Sequence, residues 1–253
     1  MLDSDIKHSI EQYWDKRADG YSSRTRRELE SFKEQVWLDL ISEYAPNKIC
    51  MQVLDIGTGP GFFPLVLSRA GHMVTVIDCS QEMVAQAKEN AAKQGLSPQF
   101  LKMDCHRLDF ADASFDLVIC RNLTWTLSEP QAAYAEWLRV LRPGGRLLVF
   151  DANWYLRLFD ERLKAEYAKE LLAIGSHGNL DNPHLGVDVQ ESERIAYTLP
   201  LSRVLRPGWD IPVLQECGFS EVVCLDDIAA RVWDESEQIL FKSTPLFMIC
   251  AIK

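Results

Sequence analysis

The sequence holds no uninterrupted apolar run of the ~18–20 residues a membrane helix needs, so no span is expected. Its first residues are charged (Asp3, Asp5, Lys7, Glu11), so no secretory leader is expected either. Positive charge is in short supply. Lys and Arg number 27 against 37 Asp and Glu, a net charge of −10, and that balance disfavours a polyanionic partner, whose binding rests on basic side chains. The one basic cluster, Arg24, Arg26 and Arg27, is followed by Glu28 and Glu30 and reads as a solvated helix face. The seven cysteines, at positions 50, 79, 105, 120, 217, 224 and 250, never fall in C-x-x-C spacing. They read as free thiols of a cytoplasmic protein, without disulfide or metal. Internal repeats and low-complexity tracts are absent as well.

The composition that remains, 47% hydrophobic and 25% charged over 253 residues, is that of a single globular domain. Its most informative stretch is Val53-Leu-Asp-Ile-Gly-Thr-Gly-Pro-Gly61. A short apolar strand runs into a turn built on Gly57, Gly59 and Gly61, and Phe62 to Ala70 follow with helical spacing. Glycine lets backbone approach a ligand where a Cβ would stand in the way. A second strand, Met73 to Ile77, delivers Asp78 to its carboxyl end, where a carboxylate accepts ribose hydroxyls. A nucleoside site is implied. The dinucleotide pattern G-x-G-x-x-G fails at its third glycine, which is Phe62, and Asp55 adds negative charge where a diphosphate would be repelled. A cationic tail would be tolerated there.

Beyond the turn, strands and helices alternate. Strands are expected at 53–56, 73–77, 99–102, 115–120 and 146–151, and helices at 62–70, 80–94 and 129–141. The strands are nearly all apolar, as strands covered on both faces must be, which implies a doubly wound α/β sheet, mostly parallel. Residues 5–45 read as helices broken at Gly20, and Trp154 to Ile174 as one more helix. The polar, Gly- and Pro-interrupted stretch that follows is too long for a plain connector. A helix at 210–216 and strands at 220–225 and 245–252 close the chain as an antiparallel edge hairpin. The expected organisation is one domain over 1–253, with a helical cap at 1–45 and a lid insertion at 154–205.

Four segments carry a resemblance. They are Val53–Gly61, Asp78-Cys79-Ser80-x-x-Met83, Met103-Asp104-Cys105, and Leu141-Arg-Pro-Gly-Gly-Arg146. Together they resemble the successive motifs of class I S-adenosylmethionine-dependent methyltransferases, a Rossmann-like seven-stranded fold. The similarity is greatest to the small-molecule type that includes ubiquinone- and menaquinone-biosynthesis-like enzymes. It covers residues 10–153 with specific motifs and the last hundred residues in outline.

The resemblance implies S-adenosylmethionine as cofactor. Asp55, Gly57, Thr58 and Gly59 would meet its amino-acid end and Asp78 its ribose. Met83 would cover the adenine beside Cys79, while Asp104, Cys105 and His106 read its edge and Arg121 and Asn122 close the site. Tyr13, Trp14 and Tyr21, on a helix similar to one that folds over the cofactor, suit a sulfonium, because ring faces attract cations. Each has a plain structural alternative: Asp78 as a helix cap, Met83 as core, the aromatics as helix packing.

Methyl transfer from a sulfonium needs alignment and dryness more than a fixed base. Tyr21, His177 and His184 are the weak candidates for a base. Trp125 and Trp154, just beyond the fourth and fifth strands, would wall a pocket for a small N, O or S acceptor, or else pack the lid onto the sheet. The net charge favours a cationic or neutral acceptor. Nucleic acid and membrane are not expected as partners, and the protein is a monomer or homodimer. A non-catalytic S-adenosylmethionine-binding regulator and, less favoured, a nucleotide-dependent oxidoreductase are the alternatives.

Overall fold

The computed structural model describes residues 3–176 and 188–253. Ten helices and seven strands are present among them. In chain order these are α1 Asp3–Leu29, α2 Lys33–Tyr44, β1 Gln52–Ile56, α3 Phe62–Arg69, β2 Met73–Asp78, α4 Gln81–Lys93, β3 Gln99–Lys102 and β4 Phe115–Arg121. They continue with α5 Pro130–Val140, β5 Leu141–Ala152, α6 Glu161–Ser176, α7 Val189–Ala196, α8 Asp210–Cys217, β6 Glu221–Leu225, α9 Ala229–Val232, α10 Glu235–Leu240 and β7 Leu246–Ile252.

The strands form one sheet in the order β3-β2-β1-β4-β5-β7-β6. The first five are parallel, and β7 runs antiparallel between β5 and β6. This is the doubly wound, Rossmann-like seven-stranded sheet with an antiparallel edge that the sequence implies. Alternation along each strand feeds two separate cores. Leu117, Ile119, Leu148 and Phe150 join Trp37 and Phe63 of α2 and α3 on one face. Val118, Cys120, Leu147 and Val149 join Tyr134, Trp137 and Leu214 of α5 and α8 on the other. Large side chains fully withdrawn from water on both faces account for the apolar runs Leu117–Cys120 of β4 and Leu147–Phe150 of β5.

Several expectations need correction. Gly20 breaks nothing: α1 runs unbroken through it, and the chain turns only at Glu30–Phe32. A glycine costs a helix about 1 kcal/mol, and the contacts of α1 on both sides outweigh that. The predicted helix from Trp154 is two pieces, a 3₁₀ turn Leu156–Leu158 and then α6, which starts where the Asp160 carboxylate caps the N–H groups of Arg162 and Leu163. Strand β5 begins at Leu141, five residues early, because the Arg142–Gly145 turn is a bulge inside its ladder, between the pairs Phe115–Leu141 and Leu117–Arg146. The edge hairpin contains two short helices, α9 and α10, in its connection. Of the cysteines, all free, Cys120 and Cys250 are buried and Cys50 is exposed.

Above the carboxyl ends of the strands lies a third, smaller apolar cluster. It joins Ile6, Ile10 and Tyr13 of α1 to Trp125 and to Ile195, Ala196 and Leu199 around α7. The cap and the described part of the 154–205 insertion therefore pack on each other through a core of their own. No described helix is long and apolar enough to cross a membrane.

Candidate active site

Two cavities open over the strand ends. The larger, about 440 Å³, lies along the glycine turn, the ends of β2 and β3, and α1. The turn owes its shape to Gly57 and Gly59, with φ of +67° and +53°, values that glycine adopts without strain. A Cβ at Gly57 would stand 2.6 Å from Leu123 Cδ1, and one at Gly59 would stand 3.6 Å from the Tyr21 ring. The turn is thus closely covered on both sides.

Asp78 holds this turn as well as lining the cavity. Its Oδ2 accepts the Gly59 N–H and its Oδ1 the Ser80 N–H, both at 2.9 Å. Ser80, not Asp78, caps α4 through its hydroxyl. Burial pushes the Asp78 carboxyl up to about 6, against the pull of those two N–H groups. Each oxygen keeps a lone pair for a further donor. A ligand offering two hydroxyls meets the need of a buried anion that has too few partners.

On the far wall, Asp104 accepts the His106 backbone N–H at 2.9 Å and its Nδ1–H at 2.7 Å, and Lys7 Nζ lies 3.2 Å away. Burial opposes ionisation, yet these donors hold the carboxyl well below the usual range. His106 Nε2 receives the Glu129 N–H at 3.4 Å, which leaves the proton on Nδ1. The donor atoms of Asp104, Cys105 and His106 lie close enough for a metal ion, but Nδ1 and the carboxylate already satisfy each other, and burial raises the Cys105 thiol far above its usual range. Cys79, also in the wall, is raised in the same way. Met83, buried, completes this side.

The second cavity, about 180 Å³, lies under α1, α6, α7 and α10. Trp125 and Trp154 both line it, as the sequence suggested. Both also pack. Trp125 stacks on Tyr155 with centroids 4.6 Å apart, and Trp154 Nε1 donates to the fully buried Asp151 at 2.8 Å. Each ring thus packs and also borders a cavity. Trp14, Tyr21, Arg121 and Asn122 line both cavities and form their common wall.

At that wall Asn122 adopts a left-handed backbone, φ +56°, and its buried Oδ1 has no partner. Asparagine is among the non-glycine residues that tolerate this region best. Arg121 is differently employed. Its guanidinium bonds Glu28 at 2.8 Å and stacks over Phe62 at 4.5 Å, so its charge is committed to the protein. Arg24 joins the same network through Glu28 and Glu237. The reading of Arg24 as part of a solvated basic face is thereby refined: its side chain is 38% exposed, but it is paired with carboxylates and lines the cavity.

Of the residues singled out in the sequence, Gly57, Gly59, Asp78, Cys79, Met83, Asp104, Cys105 and His106 converge on the larger cavity. Tyr13 instead lines the smaller one. Asp55 and Thr58 are buried behind the turn, outside both walls, and burial pushes the Asp55 carboxyl up to about 7. His177 and His184 lie outside the described residues. Sequence reasoning missed Lys7, Arg17, Tyr155 and Arg157. A signal existed for one of them: Ile10, Trp14, Arg17, Tyr21, Arg24 and Glu28 recur at alternating spacings of four and three, a single helix face, and all line a cavity.

Comparison with known proteins agrees with this geometry. Residues 54–149 match a methyltransferase domain family. A phosphatidylethanolamine N-methyltransferase of Cereibacter sphaeroides is 39% identical over 103 residues, 40% of this chain and 50% of the relative. A ubiquinone biosynthesis O-methyltransferase of Coxiella burnetii is 29% identical over 126 residues, 49% of this chain and 54% of the relative. The chain spans about half the length of these curated relatives. The crystal structure of a SAM-dependent methyltransferase from Aquifex aeolicus shares the fold, with a TM-score of 0.57 at 22% identity over 91% of this chain and 97% of that one.

Proposed function

We propose, from the premise that residues 54–149 form a class I methyltransferase domain, that the protein transfers a methyl group from S-adenosylmethionine to a small-molecule acceptor. The observation that carries this reading is the pair of cavities meeting at one wall, with a nucleoside-type site on one side and an aromatic chamber on the other. The residues present fit the cofactor: a buried carboxylate with spare lone pairs at Asp78, a Cβ-free cradle at Gly57 and Gly59, and an unpartnered acceptor at Asn122 Oδ1. Asp78 would hold the ribose, Met83 and Cys79 the adenine face, and Asp104 with the Cys105 backbone the adenine edge. Asn122 Oδ1 would take the α-amino group.

When bound, S-adenosylmethionine supplies an electrophilic methyl on a sulfonium. The chain's own work is alignment and exclusion of water. Trp14 and Tyr21 line the common wall, where aromatic rings would border a bound sulfonium. Tyr21 is the candidate base whose ring borders both cavities. His106 is bound to Asp104 and Glu129 and serves the cofactor side. The oxidoreductase reading loses ground because Phe62, 3% exposed, fills the place of the third glycine within the core.

Incubation with labelled S-adenosylmethionine and separate panels of amines, phenols, thiols and carboxylic acids, beside tRNA, DNA and protein, tests the proposal. Label transferred to a small acceptor supports it. Turnover on a polymer alone, or calorimetric binding of NAD in place of S-adenosylhomocysteine, refutes it. Tyr21→Phe then decides the base: a loss in kcat of about 10²-fold or more assigns the hydroxyl that role, and an unchanged kcat leaves it to packing.

A further inference from the structure

The acceptor chamber carries a charge pattern that opposes the protein as a whole. The chain's net charge is −10, yet five cations, Arg17, Arg24, Lys33, Arg121 and Arg157, share the chamber wall with three carboxylates, Glu28, Glu170 and Glu237. Four of the cations are already matched. Arg24, Lys33, Arg121 and Arg157 each have a carboxylate within 3.1 Å. Arg17 has none among the described residues. Its Nη1 donates to the Tyr13 hydroxyl at 2.7 Å. The guanidinium carbon sits 5.3, 5.1 and 5.8 Å from the ring centroids of Tyr13, Trp14 and Tyr21. Glu191, the carboxylate that acts on Tyr13, is instead bonded to Lys16 at 3.1 Å.

We propose that the acceptor is an apolar, ring-bearing carboxylic acid, and that the Arg17 guanidinium, steadied by Tyr13, receives its carboxylate in the smaller cavity. This rests on the methyltransferase reading for the word acceptor, but the binding site stands on its own geometry. A guanidinium presents five N–H donors in a planar fork that matches a carboxylate. Here one donor is spent on a neutral hydroxyl, and three rings fix the plane without cancelling the charge. The rings of Trp125, Trp154 and Tyr155 supply the apolar surface for the body of the molecule. A single negative charge is specified over two, because among the described residues only one guanidinium of the wall lacks a carboxylate partner, while the other four cations are matched.

The experiment is calorimetric titration of the full chain, saturated with S-adenosylhomocysteine, with phenylacetate, indole-3-acetate, their primary amides, and phenyl phosphate. At least one carboxylate should bind tenfold or more tighter than its amide and tighter than phenyl phosphate, since a hydrogen-bonded charge is worth that much. Arg17→Gln should bring acid and amide to near-equal affinity while S-adenosylhomocysteine binds within twofold of the parent. Arg17→Lys, which keeps charge and loses the fork, should fall between. Equal affinity of acid and amide in the parent, no binding of any of them, or preference for phenyl phosphate overturns the proposal. So does an Arg17→Gln variant that loses S-adenosylhomocysteine as strongly as it loses the acid, since that result assigns the guanidinium to the cofactor. Failure of S-adenosylhomocysteine itself to bind refutes the methyltransferase reading instead, and the same titrations on the ligand-free protein then decide the carboxylate site.

Discussion

Replacing Asp78 by Ala should separate two roles that this one carboxylate combines. In the ligand-free protein the change strips the Gly59 and Ser80 N–H groups of their acceptor. An unsatisfied buried donor costs about 1–3 kcal/mol, so the two together cost about 2–6. Against this stands relief of a strained ionisation. The carboxyl is raised from 3.8 to about 6, about two units at 1.36 kcal/mol each, or roughly 3 kcal/mol of penalty for holding the charge at pH 8. The net loss of stability at pH 8 should therefore be small, about 0–3 kcal/mol.

Below about pH 6 the relief shrinks, and it is gone only below 3.8. The folded pKa lies above the unfolded one, so the carboxyl's contribution is fully present below the unfolded value and is lost as pH rises through about 6. The variant should consequently fall further behind the parent in acid than in base. Urea unfolding at pH 5 and pH 8 measures both.

Binding follows the opposite course. Ribose hydroxyls bond best to the ionised form, so the parent's affinity for S-adenosylhomocysteine should drop by up to tenfold for each pH unit below about 6. Asp78→Ala should bind about ten- to a hundredfold more weakly at pH 8 and lose that acid limb. Asp55, raised to about 7 and outside the cavity wall, is present in both proteins. A folded Asp78→Ala protein that binds as tightly as the parent at pH 8, with the same acid limb, would refute the assignment of Asp78 to the ribose.

Three further outcomes are expected. Glu28→Ala leaves Arg121 and Arg24 facing each other without the carboxylate that lies 2.8 and 3.7 Å from them; unfolding should cost about 3–5 kcal/mol, and a loss below about 1 kcal/mol would deny the network its structural weight. Trp154→Phe keeps the ring in the chamber wall but removes the donor to Asp151, so stability should fall by about 1–3 kcal/mol and the acceptor KM should rise while S-adenosylhomocysteine affinity stays within twofold. In hydrogen exchange, residues 5–25 and 188–205 should be slowed by S-adenosylhomocysteine together with an acceptor, whereas β1 and β4 are unchanged; a cap already as protected as the sheet in the free protein would remove the lid from the mechanism.

How far the sequence could be read depended on whether a feature was local. The sheet was legible because the central strands carry apolar residues on both faces, and β3, at 99–102, is where the strand–helix alternation puts it although its two ends are exposed. The glycine turn and Asp78 were legible because chemistry and backbone geometry constrain the same few positions. Helix α1 was not. Part of its length is held by polar links rather than by an apolar stripe: Lys7 to Asp104, Asp15 to Ser80, Asp19 to Gln86 and Ser22 to Asn90. Such pairs leave no periodic signal until the partners are known, so Gly20 looked like a break. The acceptor chamber was hidden for the same reason. Its wall draws on α1 and on α7 and α10, which follow α1 by more than 150 residues, and Glu28 looks like any surface acid until Arg121, 93 positions away, is folded against it. Net charge gave no hint of the proposed carboxylate site, because it sums over the surface, whereas that site turns on the one guanidinium in the chamber that no carboxylate of the described chain pairs with. The polar attachment of α1 also has a dynamic consequence. The exposed links, Lys7 to Asp104 and Asp19 to Gln86, exchange with water at little net cost. The buried Ser22–Asn90 bond, the Ile6, Ile10 and Tyr13 cluster and Leu29 in the main core instead hold the helix down, so the proposed opening would have to free its N-terminal part first.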